Sequence, residues 1–135
     1  MKMAYLFKKE WGMNGNKFLL DTNIIIYILD GDKTISDYLS QKFFFTSIIC
    51  EIELFGSKSL TPKEEKQIRI FLQEFRIISI DQSIKELAIL FRKKYFLKIP
   101  DSIIAATAVS LDIPLVTSDK EFKQITELEI DFYNK

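Results

Sequence analysis

Short apolar runs alternate with longer amphipathic stretches along most of this chain. Lys17-Phe18-Leu19-Leu20 has the length and character of a buried strand. Thr22 and Asn23 then offer caps for a helix whose apolar body is Ile24 to Leu29, and Asp30-Gly31-Asp32 stops it. Lys33 to Gln41 predicts a short helix with Ile35, Tyr38 and Leu39 on one side. Phe43-Phe44-Phe45 predicts a second strand. Ser47 then caps a helix over Ile48 to Ser57, with Ile48, Ile49, Ile52 and Phe55 turned to a core. Thr61-Pro62-Lys63-Glu64 is a helix start of the capping-box kind, for a helix to about Glu74 with Ile68, Phe71, Leu72 and Phe75 inward. Arg76 to Ile80 predicts a third strand. Asp81 caps a long helix to about Phe96, with Leu87, Ala88, Leu90 and Phe91 as core candidates. Ile99-Pro100-Asp101 begins another helix, Ser102 to Leu111, that is apolar nearly all round and therefore buried, with Asp101 at its N-terminus either as the cap or as a functional carboxylate. Leu115-Val116-Thr117 is a fourth strand, Lys120 to Ile125 a short helix with Phe122 inward, and Glu129 to Tyr133 an edge strand. Strands alternating with helices throughout predict an α/β fold with a parallel sheet.

Composition sets the class. The chain has 135 residues, enough for one domain with a real core. Hydrophobic residues make up 47% and aromatics 13%, which argues for a packed protein and against disorder. No apolar run approaches the roughly 18 residues of a membrane span. One cysteine, Cys50, excludes an intrachain disulfide and a Cys-rich zinc site, and fits a reducing, cytoplasmic setting. The chain has no histidine, which removes Ser-His and Cys-His catalysis and His-ligated zinc. Chemistry must then run on carboxylates, hydroxyls, lysines or arginines, and carboxylates favour hard ions such as magnesium or manganese. The formal net charge of zero gives no basic footprint for nucleic acid. It does not forbid one, because acids can gather in a site and bases on its rim.

The first sixteen residues stand apart. Their apolar patch is too short for a signal peptide and no small-residue cleavage site follows. Lys9-Glu10 can be encoded as AAGGAG, a purine-rich ribosome-binding sequence two codons upstream of Met13. We expect Met13 to be the natural start, residues 1–16 to be an N-terminal extension, and residues 17–135 to be the domain.

The acids carry the chemistry. Asp21 ends a buried strand, where an unpaired charge costs several kcal/mol. In open α/β sheets the strand ends at which helices begin are where ligands sit. Asp21 read alone is equally well a helix cap. However, Asp119 follows the fourth strand, Asp101 opens the buried helix, and Glu53 lies early in the helix after the second strand. In a parallel sheet these points can gather at one edge. Four such carboxylates would raise one another's pKa unless a cation intervened. Bound divalent metal is the natural solution, and it can activate water and stabilise charge on a phosphoryl group.

The segments LLDTNIIIYIL, SIICEIELFG, PDSIIAATA and LVTSDKEF resemble the successive motifs of PIN-domain ribonucleases, specifically the VapC-type toxins of bacterial and archaeal toxin–antitoxin pairs. The resemblance covers Lys17 to Phe132. Each motif alone is weak; four in order at fitting spacings are specific. It implies a PIN-like three-layer α/β sandwich whose parallel sheet of about five strands has the first strand central. It also implies a magnesium- or manganese-dependent endoribonuclease leaving a 5′-phosphate and a 3′-hydroxyl. Motif by motif, Asp21 matches the central metal ligand. Glu53, rather than Glu51, matches the second acid, and Asp101 and Asp119 match the remaining two. Thr117 matches a supporting hydroxyl and Asn23 a bracing polar residue. Glu121 is near an additional acid of some relatives, and Cys50 stands where threonine is common.

On that resemblance, Asp21, Asp101 and Asp119 hold one or two metal ions and Glu53 meets water held by the metal, for in-line attack on RNA. Lys33, Lys58, Arg92 and Lys98 are candidates for gripping the RNA, a transfer or ribosomal RNA loop. A cognate antitoxin is expected to place an arginine against the carboxylates, and a homodimer is expected. The competing readings are a housekeeping PIN nuclease, a PIN fold that binds RNA or protein without cutting, and a small-ligand α/β domain whose acids are caps.

Overall fold

The structure is a computed structural model and describes residues 14–135. The reading of Met13 as the natural start lies outside these residues. A 3-10 turn, Asn14–Asn16, leads into β1 (Lys17–Leu20). Two helices follow, α1 (Thr22–Leu29) and α2 (Lys33–Tyr38). Then come β2 (Phe43–Ser47), α3 (Ile48–Phe55) and α4 (Pro62–Leu72). The second half runs β3 (Phe75–Ile78), α5 (Gln82–Tyr95), α6 (Ile99–Leu111), β4 (Leu115–Thr117) and β5 (Ile130–Phe132). A 3-10 segment, Lys120–Gln124, precedes β5.

The five strands form one parallel sheet in the order β3-β2-β1-β4-β5. β1 is central and buried along its whole length. A strand covered on both faces reads as a continuous apolar run, which is why Phe18-Leu19-Leu20 shows no polar alternation. Its residues divide between two cores because successive side chains leave opposite faces. Leu19 joins Phe45 and Leu115 against Ala88 and Phe91 of α5 and Ile104 to Ala106 of α6. Phe18 and Leu20 join Val116 against Ile24 and Ile25 of α1, Ile35 of α2, and Ile68 and Leu72 of α4. Helices on both faces of the sheet give the expected three layers, each large apolar side chain contributing ~1.5–3 kcal/mol on burial. No helix among the described residues is long and apolar enough to cross a membrane.

Several local expectations need correction. In α3 the buried residues are Cys50 and Leu54, while Ile52 is 60% exposed. In α5, Ile84 joins the core and Leu90 is half-exposed. Helix α4 stops at Leu72, so Phe75 belongs to β3, which ends at Ile78. Asp21 itself, rather than Thr22 or Asn23, is the N-cap of α1. Asp101 is no cap, because α6 begins at Ile99 and leaves Asp101 in its first turn. The capping box at Thr61 and Glu64 is present as read.

Candidate active site

Asp21 stands where β1 gives way to α1. Its N–H still donates into the sheet, to the Val116 carbonyl at 3.1 Å. Its side chain is buried and doubly bonded. Oδ1 accepts the Thr22 N–H and Oδ2 accepts the Thr117 hydroxyl, each at 2.8 Å. Sheet register explains the second bond, since Leu20 pairs with Val116 and the next residues, Asp21 and Thr117, leave adjacent strands together. The Thr117 hydroxyl in turn accepts the Asp119 N–H at 3.0 Å. One hydroxyl thus ties the acid of the first motif to the loop carrying the acid of the last.

The other two acids come from helices. Glu53 is exposed on α3 and its Oε1 accepts the Thr22 hydroxyl at 2.6 Å. Asp101 is half-buried in the first turn of α6. The Asp119 carboxylate caps the 3-10 segment, accepting the Glu121 N–H at 2.9 Å.

Electrostatics joins the four. Burial lifts the Asp21 carboxyl above its ordinary pKa, against the opposing hydrogen bonds from Thr117 and Thr22, and the charges of Asp119 and Glu53 lift it further. Burial, then the charges of Asp119, Asp21 and Glu53, push Asp101 up to about 6, with Lys98 partly opposing. Negative charge that Lys98 offsets only in part is therefore concentrated at this edge of the sheet. Cys50 lies beneath it, and burial raises its thiol to about 11, which leaves no thiolate for nucleophilic chemistry.

Three expected residues stand apart from this cluster. Asn23 is exposed on α1 and its side chain makes no hydrogen bond among the described residues. Glu121 is exposed and meets Asp119 through its backbone N–H. Lys33 pairs with Asp37 at 3.5 Å on the surface. Two supporting hydroxyls escaped the sequence reading. Thr22 holds Glu53, and Thr46 donates to the Leu20 carbonyl at 2.8 Å, fixing the end of β1 from below. The signal for Thr46 was available. The pair Thr-Ser closes both strands that flank β1, at Thr46-Ser47 and Thr117-Ser118.

Among the described residues, no three Asp, Glu, His or Cys side chains converge closely enough to hold a metal ion. The donor chemistry nevertheless suits a hard divalent cation, being all carboxylate oxygen. Glu53 takes the Thr22 hydroxyl and Asp119 the Glu121 N–H as local donors.

A family model described as the PIN domain matches residues 18–128. The chain belongs to the PIN-domain family. Its VapC-type resemblance extends to solved complexes. A toxin–antitoxin complex from Klebsiella pneumoniae contains a chain 33% identical to this one, matched over 82% of this chain and 93% of that chain with a TM-score of 0.71. VapBC-1 from nontypeable Haemophilus influenzae is 28% identical, over 88% of this chain and 99% of that chain, with a TM-score of 0.72. VapBC2 from Rickettsia felis, solved with a promoter DNA fragment, is 22% identical over 87% of this chain and 99% of that chain; its TM-score of 0.73 bears on the fold alone. No curated protein matches the chain. PIN domains generally use divalent metal ions, and this PIN domain has the oxygen donors for one.

Proposed function

We propose that this PIN domain is the toxin of a toxin–antitoxin pair and acts as a magnesium- or manganese-dependent endoribonuclease in the cytoplasm. The observation that carries the reading is the gathering of four carboxylates at the C-terminal edge of the central strands, where Asp21 and Asp119 share the Thr117 hydroxyl and burial together with the charges of Asp119 and Glu53 raises both Asp21 and Asp101. Asp21, Asp101 and Asp119 are the residues that would hold the cation. Bound there, it would lower the pKa of water and stabilise charge on phosphodiester oxygens. The protein's own contribution is positional. Thr117 keeps Asp21 facing the cleft and ties it to the Asp119 loop, while Thr22 steadies Glu53 over the same opening. A cognate antitoxin of the kind found with the Klebsiella and Haemophilus relatives would neutralise the cleft with an arginine, and the toxin would act as a homodimer.

The decisive experiment is cleavage of total cellular RNA by wild type and Asp21→Asn, each with magnesium, manganese or EDTA. The expected result is a set of discrete fragments from wild type with metal, none with EDTA, and none from Asp21→Asn, whose circular dichroism spectrum stays that of the wild type. Fragments from Asp21→Asn at the wild-type rate would overturn the assignment. Expression in cells is expected to arrest growth, with relief when the adjacent antitoxin gene is co-expressed.

A further inference from the structure

The α5–α6 connection carries two features that folding does not explain. Phe96 caps α5 in the left-handed conformation, with φ of 56°. That region is costly for a bulky side chain, and glycine is the usual occupant at a helix C-terminus. The same Phe96 is 90% exposed, the highest exposure among the large hydrophobic side chains described, so its ring gains almost nothing from the core. A glycine would serve the fold better on both counts.

The surroundings identify what the ring could meet. Leu97 is buried and its carbonyl accepts Arg92 Nη1 at 3.0 Å, so the loop that presents Phe96 is anchored from both sides. Lys98 follows, exposed, and its charge reaches Asp101 of the acidic cluster. Phe96 precedes Asp101 by five residues, so its Cα lies within about 18 Å of the Asp101 Cα, inside the reach of an RNA strand that enters the cleft. Arg92, Lys93, Lys94 and Lys98 put four cations and no acid into seven consecutive residues of a chain with zero net charge. Lys94 is engaged by Glu127 at 2.8 Å, while Lys93 and Lys98 are exposed with no acidic partner among the described salt bridges. An exposed aromatic ring flanked by cations beside a cleft is the arrangement that takes single-stranded nucleic acid, the ring stacking on a base and the cations meeting phosphates.

We propose that Phe96 is a base-stacking contact for single-stranded RNA at the rim of the carboxylate cleft, with Lys93 and Lys98 meeting the phosphates beside it. This rests on the ribonuclease reading and adds to it a residue outside all four motifs. It also says how a protein with no basic surplus grips RNA, by a local basic run rather than by its overall charge.

Binding is tested in the Asp21→Asn background so that RNA stays intact, with fluorescein-labelled single-stranded RNA and a duplex of the same sequence, with and without magnesium. Phe96→Gly is expected to weaken single-strand binding by roughly tenfold or more, the loss of one base stack, with little change for the duplex. Its thermal midpoint is expected to match or exceed that of the parent, because glycine accepts the left-handed backbone; this separates a lost contact from a damaged fold. Phe96→Trp is expected to keep affinity and to show tryptophan fluorescence quenched by the RNA beyond the change seen in the parent. Equal single-strand affinity for the parent and Phe96→Gly would overturn the proposal. So would conversion of a dimer to a monomer by Phe96→Gly with RNA affinity intact, which would assign the ring to a subunit interface. Metal-dependent cleavage unaltered by Phe96→Gly in the otherwise wild-type protein would defeat this inference alone, whereas absence of cleavage by the wild type would defeat the ribonuclease reading beneath it.

Discussion

Both oxygens of Asp21 are committed within the protein, and the Thr117 bond is the one that a substitution can remove cleanly. Thr117→Val keeps the shape and deletes the donor, while Thr117→Ser keeps the donor. Valine is expected to reduce cleavage at least about tenfold and to cost ~1–3 kcal/mol of stability, the penalty for leaving a buried acceptor unpaired. Serine is expected to retain most of both. Cleavage rates and urea unfolding of the two variants test this, and equal rates would remove Thr117 from the site. Asp101 gives a pH signature of known sign. Its folded pKa of about 6 lies above the ordinary 3.8, so between those values the folded protein holds a proton that the unfolded chain has lost. Stability from this group is therefore present at low pH and falls as pH rises through that window. Asp101→Asn in EDTA is expected to raise the thermal midpoint at pH 7.5 and to leave it unchanged near pH 3.5. A midpoint gain that grows as the pH falls would refute the cause given for the shift. Asp21 and Asp119 stood out because a charge following an apolar strand is conspicuous in one dimension, whereas Glu53 and Asp101, on helices, were picked out by the motifs. Among the supports, Thr117 was read through the resemblance, whereas the contacts of Thr22 with Glu53 across 31 residues and of Thr46 with Leu20 across 26 exist only in three dimensions.

At the level of elements, existence was legible and rotation was not. The apolar runs marked β1 to β4, and caps such as Ser47, Thr61 and Asp81 marked helix starts, each bonding a backbone N–H as expected. Helix α3 shows where the reading failed. Its sequence IICEIELF is apolar over most of its surface, so periodicity leaves its phase open. Tertiary packing settles it. Cys50 and Leu54, one turn apart, face the two cores, and Ile52 is left in solvent. That phase also carries Glu53 to the opening above Asp21. Leu54→Ala is expected to cost ~2–5 kcal/mol and Ile52→Ala no more than ~0.5 kcal/mol, read from chemical denaturation. Comparable losses at the two positions would reverse the assigned phase. Whether Asp101 also caps its helix was open from the sequence for a related reason. Pro100 suits the first turn of a helix, so α6 begins one residue before it and the aspartate is carried inside.

At the scale of the whole molecule, the order β3-β2-β1-β4-β5 puts a switch in chain direction beside the central strand. The chain leaves β1 toward β2 on one side and returns to β4 on the other, so the connections diverge above Asp21 and Thr117. A crevice forms there in open α/β sheets, and this protein lines it with acids. The fold thus carries a repulsion among these carboxylates that Lys98 offsets only in part and that a cation placed in the crevice would relieve. Folding stability should therefore depend on divalent metal far more than on ionic strength. Anything bound by the folded state alone stabilises it by RT ln(1 + [L]/Kd), and the unfolded chain scatters these four acids across the sequence. Magnesium or manganese at millimolar concentration is expected to raise the thermal midpoint by several degrees over EDTA. Sodium chloride of equal ionic strength is expected to raise it less, since partly buried charges are weakly screened. Asp21→Asn is expected to lose most of the divalent response while keeping the monovalent one. Scanning calorimetry across a metal titration distinguishes these cases. Equal responses to magnesium and to sodium would mean that the carboxylates are merely tolerated by the fold, and the metal-dependent chemistry proposed for them would have no physical basis.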